Sequence, residues 1–512
     1  MRYFFYAYLL IFNINFLSAQ ETQSQSRIDE IVVTAEFNDI DAYNISSSIS
    51  VITENDIFKR NANHLEDLLF ITPNVNYSSG ASRGKFYQIR GIGERSEFTE
   101  PVNYSVGVII DGIDFTGIAL GASTFDVKQV EVLRGPQGTL YGANALAGLI
   151  NIVSNDPTED FYSEISGSIS EFGGKDFGVI ISNSNDNNFG YRLGFKNSKS
   201  DGFIKNVFLN RDDTNDINET ISRAKFTKNN DSTKLILNIF YADIDNGYDA
   251  FSLDNTRTTY SDEPGYDRQR TTAVSTKIEK ILRNSDAIEI LASFADSELG
   301  YAYDEDWSNT GICDKTPCDS KLFGFDWWYS SFDSFNRDNK NHSIDLRYIS
   351  NSKNINWVIG LYNRDQDINL IRKYTYLQND FKSSFDTRNS AIYGQFTNNL
   401  TGKIKFQAGL RYEDRKADYL DNNGPVPEGF FCIAIYPRPD SCLFDNNYSK
   451  SENFWGGQIS LQNQINKNSM IYALLSRGYK PGGVNIDGQI RQENLNYDSE
   501  TMWNYELGIK TN

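Results

Sequence analysis

The stretch VEVLRGPQGTLYG, residues 130–142, carries the strongest fold signal in the chain. Its first four residues are apolar apart from one glutamate and predict a short β-strand. Glycines recur from Gly135 to Gly148, and glycine permits tight turns and close approach of two backbone segments. The stretch therefore predicts a strand that ends in a closely packed, glycine-rich turn.

This strand and turn lie in a compact segment of mixed character, residues 40–157. Residues 61–70, NANHLEDLLF, are predicted to form a short helix, which ends before Pro73 because the residue preceding a proline disfavours helical geometry. A second strand is predicted at residues 106–110. Together these elements predict a small α+β domain.

Beyond Pro157 the sequence alternates with a period of two residues. Apolar side chains alternate with glycine, amide or charged residues at 189–196 and again at 405–412. Such strands, separated by Asn-, Asp- and Gly-rich turns, fit either a soluble sandwich or a transmembrane barrel. The apolar faces are rich in aromatic residues, which favours an antiparallel β-barrel that spans a membrane.

The N-terminus supports export. Residues 1–19 contain a positive charge at Arg2, an apolar stretch and the small residues that precede a cleavage site, and are predicted to be a signal peptide. A membrane anchor is the alternative, but the apolar run is shorter than the roughly 20 residues needed to span a bilayer.

Residues 20–39 form a polar tether that contains one β-prone hexapeptide. This hexapeptide is either the first strand of the domain or an edge strand suited to pairing with another protein's sheet. Its residues are Glu30, Ile31, Val32, Val33, Thr34 and Ala35.

Composition excludes several classes of function. The chain has 512 residues and a formal charge of −19, which argues against a nucleic-acid partner because phosphate binding needs clustered cations. Its mean hydropathy is −0.50 and its only long apolar run is N-terminal, so a helical membrane protein is excluded. No nucleophile elbow or phosphate-binding lysine is present, and only 2 histidines and 4 cysteines occur. We therefore expect neither an enzyme nor a bound cofactor or metal.

Long connections are predicted at residues 243–270, 297–341 and 413–453, as in barrels with long external loops. Cysteines lie close together in two of them and, in an exported chain, predict local disulfides. A metal site is disfavoured because no histidine lies between the cysteines of either pair. The predicted pairs are Cys313–Cys318 and Cys432–Cys442.

Five ordered motifs make residues 30–157 resemble the plug domain of TonB-dependent outer-membrane receptors. The hexapeptide resembles the TonB box, and residues 130–153 follow the family pattern almost residue for residue. The other three motifs are Leu68-Leu69 with Thr72-Pro73-Asn74-Val75, Ile89-Arg90-Gly91-Ile92-Gly93, and Ile110-Asp111-Gly112. Near the C-terminus, residues 476–485 and 497–510 resemble the family's barrel signatures.

This resemblance implies a transmembrane barrel, residues 158–512, around a plug, residues 40–157. Receptors of this kind have about 22 strands, whereas residues 158–512 suffice for about 14 at roughly 25 residues per strand and connection. The family's chains end in an aromatic residue, whereas this one ends at Asn512. We therefore expect the sequence to be the N-terminal part of a longer protein.

The resemblance also implies a function: energised uptake of a large, scarce ligand, most often an iron–siderophore complex, across the outer membrane of a Gram-negative cell. The partners are then a TonB-type energy-transducing protein of the inner membrane, which binds the hexapeptide, and outer-membrane lipid. Import of cobalamin, haem, a glycan or another metal chelate, and a passive binding or adhesion barrel, remain alternatives.

Two sets of site residues follow from the same resemblance. Plug arginines are expected to face barrel glutamates, which maps here to Arg90 and Arg134 with Glu506 and, secondarily, Glu500. Ligand contacts are expected on the plug apices and external loops. The candidates are Tyr77, Tyr87, Phe98, Trp327 and Trp328. The cluster around Trp327 and Trp328 suits stacking on a planar or sugar-like ligand, and packing of the loop itself is the alternative.

Overall fold

A computed structural model of the chain shows a large antiparallel sheet and a smaller mixed domain. The predicted signal peptide lies outside the residues that the structure describes. Those residues are 32–34, 40–79, 82–95, 103–185, 187–253, 255–282, 286–314, 329–352, 355–377, 379–422, 447–484 and 496–511.

The smaller domain, here called the plug, is built on a five-stranded sheet of order β3-β8-β9-β6-β7. Strands β6 and β9 are parallel, and the other pairs are antiparallel. Two-residue strands β1 and β2 pair with each other, as do β4 and β5. The plug strands are β1 (Val32–Val33), β2 (Ile40–Asp41), β3 (Ser48–Thr53), β4 (Val75–Ser78), β5 (Phe86–Ile89), β6 (Val106–Ile110), β7 (Ile113–Asp114), β8 (Val127–Arg134) and β9 (Gly148–Ser154).

The helical part of the plug differs from the helix predicted at residues 61–70. Among its described residues the plug has two α-helices, α1 (Glu54–Arg60) and α2 (Glu66–Leu69). Helix α1 begins at a capping box between Thr53 and Asp56 and ends at Asn61, which takes a left-handed conformation at φ 48°. The capping box places the longer helix ahead of the predicted one.

Within the described residues the large sheet has 14 strands in sequential antiparallel order, which confirms the predicted all-β barrel architecture and the strand estimate. Strands β10 and β27 are its edges. Its members are β10 (Tyr162–Ile169), β11 (Lys175–Ser184), β12 (Phe189–Ser200), β14 (Ile217–Asn230), β15 (Thr233–Tyr248), β17 (Gly265–Ile281), β18 (Ala287–Asp304), β19 (Phe332–Asn351), β20 (Ile355–Tyr374), β21 (Phe381–Asn399), β22 (Ile404–Asp421), β23 (Asn447–Asn466), β24 (Ser469–Lys480) and β27 (Glu500–Thr511). Four short strands lie in the connections between these strands. β13 (Lys205–Asn206) pairs with β16 (Thr258–Thr259) of a different connection, and β25 (Gly483–Val484) pairs with β26 (Asn496–Tyr497) of the same connection.

The predicted alternation of apolar and polar side chains matches the two faces of this sheet. On β22, Leu410 is 59% exposed on the outer face, whereas Arg411 is 1% exposed on the inner face that encloses the plug. An apolar outer face and a polar lumen are the pattern of a barrel in lipid. Within the described residues, neither helix is long and apolar enough to cross a membrane.

Short and long connections alternate along the sheet and orient it. Short turns join β14 to β15 and β23 to β24, and long connections lie at the opposite end. The start of the plug lies at the short-turn end, where Lys510 donates to the Ala42 carbonyl (2.8 Å). By the usual barrel rule this end faces the periplasm. The predicted long loops are shorter than expected because β15, β18 and β22 continue as paired strands beyond the predicted loop starts.

Candidate functional site

The predicted partner-binding hexapeptide lies against the plug. Three of its residues, Val32, Val33 and Thr34, are described, and Glu30, Ile31 and Ala35 lie outside the described residues. Val33 is fully buried in a cluster with Ile45, Leu133 and Leu149. In this conformation the plug covers the apolar side of the segment.

Buried polar side chains on β8 and β9 hold the segment in place. Glu131 Oε1 accepts hydrogen bonds from the Thr34 backbone N–H (2.8 Å) and hydroxyl (3.0 Å), and Gln129 Nε2 donates to the Val32 carbonyl (2.7 Å). Asn151 Nδ2 donates to the other Glu131 oxygen (3.0 Å). The motif residue Glu131 thus holds Thr34, the residue that follows β1, against the plug.

Of the four residues expected to form charge pairs between plug and barrel, the structure brings Arg90 and Glu506 together. Arg90 Nη2 lies 2.9 Å from Glu506 Oε2, and the Tyr472 hydroxyl donates to Glu506 Oε1 at 2.6 Å. Arg90 is left-handed at φ 55°, so the Arg-Gly turn points its side chain at the wall. The glutamate therefore joins a plug turn to strand β24.

The other two residues have different partners. Arg134 donates to Ser48 Oγ (3.1 Å) and Ser50 Oγ (2.8 Å), within the plug. Burial, followed by the nearby Arg90, lowers the pKa of Arg134. Glu500 is mostly exposed and lies 3.9 Å from Lys480 on the barrel.

Replacing Glu506 by alanine is expected to loosen the Arg90 turn while ligand binding stays unchanged. The turn is expected to lose less than about 1 kcal/mol of local stability, because Arg90 is partly exposed and ion pairs near solvent contribute little. Hydrogen exchange of residues 89–93 measures the effect. Tyr472→Phe, which removes one hydrogen bond to the same carboxylate, is the matched control and should loosen the turn less. Unchanged exchange and uptake in Glu506→Ala would remove the pair from the mechanism.

Further ion pairs between plug and wall were not anticipated from the sequence. Most place the acid on the plug and the cation on an inward-facing strand position. With the plug residue first, the pairs are Arg83–Glu219 (2.8 Å), Glu94–Lys480 (2.7 Å), Asp111–Arg223 (3.6 Å), Asp114–Arg364 (3.1 Å), Asp126–Arg192 (2.6 Å) and Asp156–Lys225 (3.4 Å). The inward position of the barrel residue in each pair, readable from the period-two pattern, is the signal that could have found them.

Two of these pairs are bound through two guanidinium nitrogens. Arg192 Nε and Nη2 both donate to the Asp126 carboxylate, and Arg83 Nε and Nη2 both donate to the Glu219 carboxylate. Burial alone would lower the pKa of Arg83, but its carboxylate neighbours Glu219 and Glu66 more than offset this and raise it. Removing one partner of such a buried pair is costly, because it leaves an uncompensated buried charge.

Above the plug, inward-facing arginines line a polar cavity of about 40 Å³. Arg337, Arg364 and Arg415 belong to three different strands and are largely buried. Arg415 Nη2 donates to Asn103 Oδ1 on the plug (3.0 Å). The cavity lies toward the long-connection end, so its mouth faces outward and carries positive charge.

Aromatic side chains rim the same end of the lumen. Tyr301 contacts Tyr248 (ring centroids 5.3 Å apart) and Phe335 (6.3 Å). The ammonium group of Lys85, near the plug apex, lies 5.1 Å from the Tyr301 ring centroid. These rings are not among the residues that the sequence predicts to contact a ligand.

The structure describes two of the five residues predicted to contact the ligand, and these two differ in burial. Tyr87 is buried in the plug core and donates to the Gly84 carbonyl (2.8 Å). Tyr77 is half-buried and packs edge-on against Phe70 (5.6 Å). The other three candidates, Phe98, Trp327 and Trp328, lie outside the described residues.

The disulfide predictions fall largely outside the described part of the chain. Cys313 is disulfide-bonded. Its predicted partner, Cys318, and both members of the Cys432–Cys442 pair lie outside the described residues.

Comparison with known proteins gives this arrangement a family. The model of the TonB-dependent receptor plug domain matches residues 41–149, and that of the TonB-dependent receptor-like β-barrel matches residues 161–512. The pesticin receptor of Yersinia enterocolitica is 21% identical over 505 residues, covering 96% of this chain and 69% of that protein. The vitamin B12 transporter BtuB of Vibrio vulnificus is 31% identical over 150 residues, 28% of this chain and 23% of that protein.

Solved structures show the same fold. The ferric yersiniabactin uptake receptor FyuA from Yersinia pestis superposes with a TM-score of 0.74 at 19% identity, covering 91% of this chain and 70% of that one. The ferric-catecholate import receptor Fiu from E. coli K12 gives 0.67 at 17% identity, covering 92% and 78%. With one family model matching most of the sheet and another the plug, this chain belongs to the TonB-dependent receptors of the outer membrane, which are transporters rather than enzymes.

Proposed function

We propose that this receptor takes up an anionic iron chelate of the siderophore class, and that a TonB-type protein drives transport by pulling on residues 30–35. The observation that carries the proposal is the group of arginines at the outward mouth of the lumen. Guanidinium groups bind carboxylates and other oxyanions through paired, charge-assisted hydrogen bonds. A chelate brings its own iron ligands, so the receptor needs no metal-binding side chains for iron.

Arg364 and Arg415 suit an anionic ligand because their positive charge is not fully used among the residues that the structure describes. Arg364 Nη2 pairs with Asp114 (3.1 Å), but its Nε makes no hydrogen bond within the described residues. Arg415 contacts a neutral amide, Asn103, and forms no ion pair in the part of the chain that the structure describes. Aromatic rings around the mouth add apolar contact area for an organic chelator.

Energised release is supported by how the plug is held. Ion pairs distributed around the plug resist its loss, while the short strand β1 is attached through a few hydrogen bonds on the periplasmic side. A cavity of about 310 Å³ borders Thr34 and continues between the plug and the wall to Asp114 and Thr116. A pull on the tether would first disturb the plug surface that lines this cavity.

Variants of the arginines that line the 40 Å³ cavity give the direct test. Arg337→Gln and Arg415→Gln are each expected to weaken binding of an anionic ferric chelate roughly 10- to 100-fold, the size of a lost charge-assisted hydrogen bond. Binding is measured by titrating labelled chelate onto the purified receptor. The control is Arg477→Gln, because Arg477 lies on the outer face over the Trp455 ring (4.0 Å) and should not affect binding.

Uptake of a ligand panel separates the remaining candidates. Iron-starved cells that carry the receptor should import labelled anionic ferric chelates only while the inner membrane is energised. Saturable import of cobalamin, haem or a glycan instead would assign the receptor a different ligand. Unchanged chelate binding in both Arg337→Gln and Arg415→Gln would overturn the proposed ligand class. Import that is independent of energy would indicate a passive barrel.

A further inference from the structure

Two cavities lie one above the other between the plug and the wall. The lower cavity, of about 310 Å³, begins at the periplasmic end, where the exposed Lys234 lines it beside the short turn from β14 to β15, and it extends as far as Asp114. The upper cavity, of about 40 Å³, is lined by Arg364 and faces outward. Two plug residues, Thr116 and Asn144, line both cavities. The partition between the two cavities is therefore formed by a few side chains.

One ion pair spans this partition. Asp114, on plug strand β7, lines the lower cavity, and Arg364, on wall strand β20, lines the upper one. Arg364 Nη2 lies 3.1 Å from Asp114 Oδ2, and the side chains of the arginine and the aspartate are 8% and 12% exposed. The same contact therefore joins the plug to the wall and separates the two cavities.

Arg364 uses only part of its guanidinium group in this pair. Its Nε is buried and has no hydrogen-bond partner among the residues that the structure describes. Nε and Nη2 point along the same edge of the group, and Arg192 and Arg83 each use both atoms to bind one carboxylate. Such an edge binds a carboxylate or a phosphate through two parallel hydrogen bonds. Arg364 can therefore bind an incoming oxyanion more completely than it binds Asp114.

Asp114 stays hydrogen-bonded when Arg364 leaves. Its Oδ1 accepts the Thr116 backbone N–H (2.9 Å), and its Oδ2 accepts a hydrogen bond from Asn144 Nδ2 (3.1 Å). Breaking a buried pair is most costly where it leaves a charge without any partner. Because both carboxylate oxygens keep a donor inside the plug, this pair can open without leaving the aspartate bare.

The upper cavity is suited to a small oxyanion. Its volume of about 40 Å³ exceeds the roughly 10–15 Å³ that one water molecule needs. Arg415 also lines this cavity and donates to the neutral amide oxygen of Asn103 (3.0 Å) rather than to a carboxylate. An anion in the cavity would therefore meet a second guanidinium group beside Arg364.

We propose that the Asp114–Arg364 pair is a gate between the two cavities, which an oxyanion of the ligand opens by binding Nε and Nη2 of Arg364 in place of Asp114. The trigger rests on the proposed function, since it needs an anionic ligand, whereas the position of the gate does not. Opening would connect the outward-facing cavity to the cavity that leads along the wall toward the periplasm. It would also remove one contact between plug and wall when the ligand binds.

The ion current through a planar lipid bilayer tests the gate. Purified unmodified receptor should leave the bilayer closed to potassium chloride, whereas Asp114→Ala should pass a steady current at least about tenfold larger, because a continuous water-filled path conducts ions. The matched control is Asp156→Ala, since Asp156 lines the lower cavity but not the upper one and pairs with Lys225 (3.4 Å). This control should stay as closed as the unmodified receptor.

Inorganic phosphate tests the trigger, because guanidinium groups bind it as they bind a carboxylate. Phosphate added to both compartments at constant ionic strength should raise the current through the unmodified receptor. We expect a half-maximal concentration in the roughly millimolar range, the affinity of a single two-point contact. Phosphate should add little current to Asp114→Ala, which has no carboxylate to displace from Arg364.

A current in Asp114→Ala no larger than that in Asp156→Ala would overturn the gate, since a general loosening of the plug would open both variants. Absence of a phosphate response in the unmodified receptor would overturn the oxyanion trigger. That measurement needs no variant, so a folding defect cannot obscure it. Neither measurement uses a ferric chelate, so import of a different ligand would refute the proposed function and leave the position of the gate intact.

Discussion

Receptor carrying Val32→Pro is expected to bind its ligand normally and to lose energised uptake, down to the level of cells without the receptor. Val32 lies in β1, the part of the predicted partner-binding segment that the structure describes. Coupling by strand addition depends on main-chain hydrogen bonds, and proline removes an N–H donor and fixes φ. Uptake of labelled ligand and binding at 0 °C are measured on the same cells.

Val32→Ala is the matched control for this variant, because it shortens the side chain and keeps the N–H. It should retain most uptake, since strand pairing tolerates side-chain variation. Wild-type uptake by Val32→Pro would show that the segment does not couple the receptor to its energy source. Equal loss in both variants would indicate that side-chain recognition dominates.

Arg192→Ala is expected to destabilise the attachment of the plug by about 3–5 kcal/mol, the cost of leaving one member of a buried pair alone. The side chains of Arg192 and Asp126 are 8% and 3% exposed, and two guanidinium nitrogens contact the carboxylate. Amide exchange across β8 and β9 should accelerate roughly 100-fold or more if these strands open with the plug. Mass spectrometry of exchanged peptides from the intact receptor measures this.

A double-mutant cycle isolates the pair. Arg192→Ala combined with Asp126→Ala should cost less than the sum of the single variants, because the double variant leaves no buried charge unpaired. The control is Arg211→Ala, whose pair with Asp213 is more than half exposed and should contribute below about 1 kcal/mol. Strict additivity in the cycle would mean that the contact does not hold the plug.

The architecture was predictable because period-two patterning repeats along the barrel sequence. Leu193 and Phe195 face outward while Arg192 faces the lumen, as the alternation predicted. The longer plug helix lies ahead of the predicted one, because the capping box at Thr53 and Asp56 begins it at Glu54. Loop lengths were overestimated, since polar strand ends continue to pair beyond the apolar pattern that marks a membrane-spanning strand.

The site was less predictable than the fold because its contacts join residues far apart in the sequence. The Arg90–Glu506 pair was predicted from the resemblance to family motifs, which indicates the positions of the two residues but not the geometry of their contact. Asp126–Arg192 has no motif, and an inward charge on β12 does not identify its partner on the plug. The role of Glu131 in holding Thr34 was hidden for the same reason: the motif marks the residue, and only the fold shows what it contacts.

The central claim is that the plug lies inside the barrel and must move for transport, and a disulfide between plug and wall tests it most directly. A Cβ built on Gly121 of the plug lies 3.5 Å from Ala242 Cβ on β15, within the range of disulfides. Gly121→Cys with Ala242→Cys should form the bond, keep ligand binding and lose uptake until a reductant is added, whereas each single variant transports with or without reductant. Failure of the bond to form in the folded receptor, or normal uptake with the bond intact, would contradict the claim.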